Sequence, residues 1–86
     1  MEATLYDKLA TNLKKAGYTV TKDYWVEPVG YKKPTIEYWV DVILKEEGNT
    51  RYMMHYWFKD DKNNIVKLEF WKCKIKVEDY DYEKIV

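Results

Sequence analysis

The chain contains no serine and no glutamine, a single cysteine (Cys73), a single histidine (His55) and a single arginine (Arg51). Each shortage closes a route. Serine nucleophile chemistry is excluded by composition. One cysteine allows no internal disulfide. Thiol catalysis would need Cys73 activated by a base, and His55 is the sole imidazole. A small buried cysteine in a strand is the simpler reading. There is no close-spaced ligand pair such as Cys-x-x-Cys, so His55, Asp41, Glu69 and Cys73 would not match a recognised metal spacing even on one side of a sheet. The three glycines, Gly17, Gly30 and Gly48, are isolated and each fits a turn, not a phosphate-cradling loop. Net charge is zero, with 15 basic and 15 acidic residues. That is not the basic excess of a general nucleic-acid binder. No apolar run reaches the roughly 18 residues of a membrane span. The start, Met1-Glu2-Ala3-Thr4-Leu5, lacks the basic and apolar segments of a signal peptide. The expectation is a non-enzymatic cytoplasmic protein with no cofactor and no metal.

What is present is apolar and aromatic. Of 86 residues, 47% are hydrophobic and 35% charged, which suits one small folded domain. Tyrosine occurs nine times, and lysine supplies nearly all the positive charge. Lysine and glutamate enrichment with few amides is a hyperthermophile trend that an AT-rich genome would also produce.

The pattern predicts an α+β fold, one N-terminal helix packed on a four-stranded antiparallel meander. Leu5, Leu9 and Leu13 recur every four residues, with Tyr6, Ala10 and Ala16 on the same side, so residues 4–16 read as a helix. Thr4 and Asp7 resemble a capping box, and Gly17 is a natural stop. The period then falls to two. Strands are expected at 18–29, 35–45, 50–59 and 65–77, followed by an acidic tail over 78–86. Pro28, Gly30 and Pro34 bracket a loop, Gly30-Tyr31-Lys32-Lys33. In the last strand the apolar residues pass from even positions (Val66, Leu68, Phe70) to odd ones (Trp71, Cys73, Ile75). A bulge near Phe70–Trp71 would keep one side apolar, leaving Lys72, Lys74 and Lys76 to guard an outer edge.

The central inference concerns cover. The strands carry large apolar groups at both parities, which calls for burial on both faces. Four strands span roughly 19 Å at the usual spacing, whereas one helix is about 10 Å wide. The helix side is expected to carry Val20, Tyr38, Val40, Val42, Leu44, Val66, Leu68 and Phe70. The second face would carry Trp25, Trp39, Asp41, Ile43, Met53, His55 and Trp57. Register decides the third strand's share. A three- or five-residue loop around Gly48 sets Trp39 against Trp57 and Asp41 against His55, and this is the arrangement we take. A two- or four-residue loop would present Met54, Tyr56 and Phe58 instead. An Asp41–His55 contact would make association pH-sensitive.

Two resemblances bear on function. Residues 9–44 resemble the opening of the restriction-like nuclease fold, through Gly17-Tyr18-Thr19-Val20 and Asp41. The acid-x-lysine pair due on the next strand is missing from Met53-Met54-His55-Tyr56-Trp57-Phe58-Lys59. The hairpin at residues 55–74 is similar to the last hairpin of the type I-D anti-CRISPR proteins of Sulfolobus filamentous viruses. An aromatic strand and acidic turn, Tyr56-Trp57-Phe58-Lys59-Asp60-Asp61, lead into Leu68-Glu69-Phe70-Trp71-Lys72. That resemblance implies a viral protein that dimerises and binds the large subunit of a CRISPR effector complex.

The expected function is protein–protein binding, as a homodimer or on a host protein complex. Two alternatives stand beside it. One is a nucleic-acid module that stacks bases on sheet aromatics, with Lys32, Lys33, Lys72, Lys74 and Lys76 on phosphates. The other is a small-ligand binder or enzyme with a cone-shaped sheet. In the tail, Glu78, Asp79, Asp81 and Glu83 form an acidic run able to mimic a phosphate backbone.

Overall fold

A computed structural model describes residues 3–75 and 80–84; for Val29 and residues 80–84 it describes the backbone alone. The helix α1 (Leu5–Lys15) is followed by five strands: β1 (Thr19–Val29), β2 (Lys32–Glu47), β3 (Thr50–Lys59), β4 (Ile65–Ile75) and β5 (Tyr80–Lys84). They form one antiparallel sheet in chain order, β1-β2-β3-β4-β5. The fold is the α+β meander read from the sequence, with its tail continuing as a fifth strand.

Local chemistry sets the helix ends. Thr4 Oγ1 accepts from the Asp7 backbone N–H at 3.3 Å and donates to Asp7 Oδ2 at 3.0 Å, satisfying an orphan donor of the first turn. At the far end Tyr18 N–H donates to Leu13 O and Gly17 N–H to Lys14 O, a Schellman closure. It needs the left-handed φ of +97° that Gly17 supplies. The N-terminus of α1 is tied to the β3–β4 loop, where Tyr6 N–H donates to Lys62 O at 2.9 Å and Leu5 N–H to Asn63 Oδ1 at 3.0 Å.

Tyr6 anchors the core. Its ring lies 5.5 Å from the rings of both Tyr38 and Phe58. Its hydroxyl donates to Asp23 O at 3.0 Å. Around it Ala10, Val40, Val42 and Phe58 are buried, with Leu9, Leu13, Val20, Tyr38, Met54 and Tyr56 packed against them. α1 lies chiefly over β1 and β2. The helix side is therefore covered at one end only. Leu68 and Val66 of β4 are each 54% exposed, and Leu44 is also exposed. An apolar hollow of about 330 Å³ opens between Leu44, Met54, Leu68 and Phe70. The lone helix thus covers less of its own side than its dimensions suggested, because its tether to the β3–β4 loop and to Asp23 holds it over β1 and β2.

The register contains three corrections. The β2–β3 loop has two residues, Gly48-Asn49, with Glu47 paired to Thr50, and Gly48 supplies a φ of +59°. A two-residue loop alone would have presented Met54, Tyr56 and Phe58 to the second face. A bulge at Leu44 restores the other parity, so Trp39 pairs with Trp57 and Asp41 with His55 after all. In β4 no bulge occurs at Phe70–Trp71, which pair regularly with Met54 and Met53; the irregularity lies at Trp57/Phe58, leaving Val66 over. The strand's apolar side changes along its length because neither face is inner throughout. Nor is β4 an edge, since β5 flanks it.

The bracketed loop is also shorter than expected. β1 and β2 continue to a two-residue Gly30-Tyr31 turn. Pro28 falls at a register shift and Pro34 lies beyond the end of β3, where β2 has only one partner strand. Proline's missing N–H is tolerated at such positions.

Candidate functional site: the second face of the sheet

Alternation places every odd-numbered residue of the β2 and β3 centres on the side away from α1. Rows then run across the strands. Trp39 pairs with Trp57, which pairs with Lys67; Asp41 pairs with His55, which pairs with Glu69; Ile43 pairs with Met53, which pairs with Trp71. A polar acid–imidazole–acid row is thus enclosed between two rows of indoles and aliphatics. Among the described residues no helix lies over it.

The polar row is held firmly. His55 Nδ1 and Asp41 Oδ1 are 2.5 Å apart, with both side chains part-buried. The Trp39 ring is 6.1 Å from the imidazole. Glu69 is 9% exposed, with Lys67 Nζ 3.9 Å from its Oε1. The same ammonium lies 5.3 Å from the centre of the Trp57 ring. An open hollow of about 250 Å³ is lined by Asp41, Met53, His55 and Trp71.

Of the residues assigned to this face from sequence, Trp39, Asp41, Ile43, Met53, His55 and Trp57 come together as half-buried side chains. Trp25 shares their parity but sits on the edge strand β1 opposite Glu37, 59% exposed, and it does not line the hollow. Trp71 and Cys73 belong here and were misplaced by the expected bulge. Unbroken alternation of Glu69, Trp71 and Cys73 was the signal that pointed to them.

Cys73 is 1% exposed, and burial pushes its thiol up from its ordinary value, the opposite of an activated nucleophile. Among the described residues no three His, Cys, Asp or Glu side chains gather as a metal site. Asp41, His55 and Glu69 share a row, but Cys73 lies beyond it, opposite Arg51.

The remaining candidates lie elsewhere. Lys72 and Lys74 share the parity of Phe70 and belong to the helix side of β4, away from the tryptophans. The register also sets Glu83 opposite Lys72 and Asp81 opposite Lys74. Part of the acidic tail is thus a strand, Tyr80–Lys84, and its alternation of tyrosine with acid is a strand pattern. Glu78, Asp79 and Lys76 lie outside the described residues. Among the described residues no helix is long and apolar enough to cross a membrane.

Compared with protein-family models, with curated proteins and with solved structures, the chain matches none.

Proposed function

We propose that this chain is a non-enzymatic binding protein whose second sheet face is covered by another chain, first of all by a second copy of itself. The observation that carries the reading is the half-buried set of Trp39, Trp57, Trp71 and Met53 with no helix of the described residues over it. Tryptophan and methionine are enriched at interfaces, and apolar patches larger than a few hundred Å² mark interaction sites on small proteins. Two-fold pairing is the commonest closed assembly. The similarity of the hairpin at residues 55–74 to type I-D anti-CRISPR proteins extends the proposal. On that likeness the chain is a viral protein acting in the host cytoplasm, and the dimer inhibits a host defence complex by binding it.

A nucleic-acid role is less well supported. Lys72 and Lys74 lie on the opposite face from the tryptophans, and acids occupy the register positions beside them.

Light scattering tests the first step. The wild type should show twice the chain mass of 10.5 kDa, and Trp57→Lys should show the single-chain mass with a folded spectrum. A monomeric wild type contradicts the self-association.

A further inference from the structure

β1 is eleven residues long, and among the described residues no strand pairs with its outer side. Tyr24, Trp25 and Val26 follow one another there, 62%, 59% and 43% exposed. Two observations fix which amides point outward. Ile36 N–H donates to Asp60 Oδ1, and Ile36 O accepts from Asp60 N–H, so Ile36 bonds away from β1. Its partner Val26 therefore turns its own N–H and C=O to the free edge, as both residues of such a pair do. Alternation gives Tyr24 and Lys22 the same direction. Tyr24 agrees, since its N–H donates to Asp23 Oδ1 at 2.8 Å. A long aromatic edge with open amides invites another strand, and proteins guard such edges with charge and proline. The Lys22 ammonium is drawn to Asp7 of α1 at 3.2 Å instead of standing over the edge. Pro28 has no N–H to offer near the strand's end. The Asp23 carboxylate takes the donor in the middle.

We infer that the β1 edge is a strand-pairing surface for a second copy of this chain, and that Asp23 keeps it closed. The chemistry of the strand selects the occupant. Two copies of one edge pair antiparallel about a two-fold axis normal to the sheet. That axis keeps each side chain on its own face, so one residue must sit opposite its own copy. Centred on Lys22 or Asp23, the pairing sets like charges against each other. Centred on Trp25, it sets Asp23 against Glu27. Like charges directly opposite destabilise a pair. Centred on Tyr24, it sets tyrosine on tyrosine and Asp23 against Trp25, with no like charges opposed. Tyr24 is also the midpoint of Thr19–Val29, so this register uses the whole strand and any other shortens it. Its two central bonds run from each Tyr24 N–H to the other Tyr24 C=O, and Asp23 Oδ1 occupies that N–H. The guard stands at the centre of the register that charge and length both favour.

Light scattering of the full chain at rising concentration tests this, with each variant compared against the wild type's own particle mass. Asp23→Ala frees the Tyr24 N–H and should raise that mass about twofold or more. Asp23→Asn keeps an oxygen able to accept from Tyr24 and should hold the wild-type mass. Adding Val26→Pro to Asp23→Ala removes an outward donor without touching a bond to β2 and should restore that mass. Circular dichroism checks folding, and Asp23→Val, with a strand-forming side chain and no acceptor, replaces the alanine variant should that one unfold. A folded Asp23→Ala or Asp23→Val protein that keeps the wild-type mass overturns the proposal. So does an increase that survives Val26→Pro, or one that Asp23→Asn shows equally. Because the reference is the wild-type particle, the experiment reads the edge whether that particle holds one chain or two.

Discussion

Tyr6 shows how one side chain joins three parts of the molecule. Its ring meets Tyr38 and Phe58, its hydroxyl reaches the backbone of β1, and its N–H reaches the β3–β4 loop. Burial, then the nearby Asp23 and Asp7, raises its hydroxyl above the ordinary tyrosine range, so it stays a neutral donor at physiological pH. Tyr6→Phe should keep the packing and lose the bond to Asp23 O, costing about 1 kcal/mol in urea unfolding. Asp7 shifts the other way. The Lys22 ammonium bonded to it, and then the Thr4 hydroxyl, hold its carboxyl below the usual aspartate range. A depressed folded value means stability that is present above the ordinary aspartate pKa and lost as pH falls through the folded one. Asp7→Asn should therefore flatten the acid side of the stability–pH curve below about pH 4; an unchanged acid limb contradicts the assignment. Cys73 supplies a third check. Buried, with its thiol raised, it should react with a disulfide reagent only at the rate of unfolding, and rapid labelling of the native protein would show that it is accessible.

At the scale of elements, the helix and its stops follow from local rules. Thr4, Asp7 and Gly17 mark the ends of α1 because capping and left-handed φ are chemical requirements of particular residue types. Gly17→Ala places a side chain at φ +97° and should cost about 1 kcal/mol or more in thermal unfolding. The strands were legible for a similar reason, as the alternation within residues 18–29 and the apolar run within residues 50–59, bounded by turn residues, are properties of the chain itself. Register was less so. The pairing of Trp39 with Trp57 follows from a two-residue turn plus a bulge at Leu44, two departures that offset each other, and no residue in Leu44-Lys45-Glu46 announces a bulge. The parity change in β4 was visible, but its cause was misread. A strand whose inner side changes along its length looks in sequence like a bulged strand with one inner side. In the acidic tail, Tyr80-Asp81-Tyr82-Glu83 carries both a charge run and a period of two, and over Tyr80–Lys84 the period of two matches a strand. Six of the seven residues assigned to the second face, all but Trp25, lie in adjoining rows on it, whereas Trp71 required the regular β4 register.

For the whole molecule, the shortage of cover is distributed over two surfaces. α1 covers β1 and β2, leaving the hollow at Leu44, Met54, Leu68 and Phe70 open beside it, while the second face presents the tryptophan rows. A domain of 86 residues has a total stability of only about 5–15 kcal/mol. Phe58, fully buried under Tyr6, supports a large share of it, and Phe58→Ala should cost about 3–5 kcal/mol, read as a lower midpoint in urea unfolding followed by circular dichroism. The two open surfaces make different demands on a partner. The helix-side hollow is purely apolar, whereas the second face combines indoles with a fixed acid–imidazole pair, and a partner seated there must match both. If the second face is the interface, Leu68→Lys changes the other surface and leaves the assembly intact.

Light scattering on four proteins compares the two surfaces directly: the wild type, Trp39→Lys, Trp57→Lys and Leu68→Lys. The account predicts a two-chain particle for the wild type and Leu68→Lys, and a folded single chain for both tryptophan variants. A wild type that runs as one chain, or tryptophan variants that keep the two-chain mass, would contradict it.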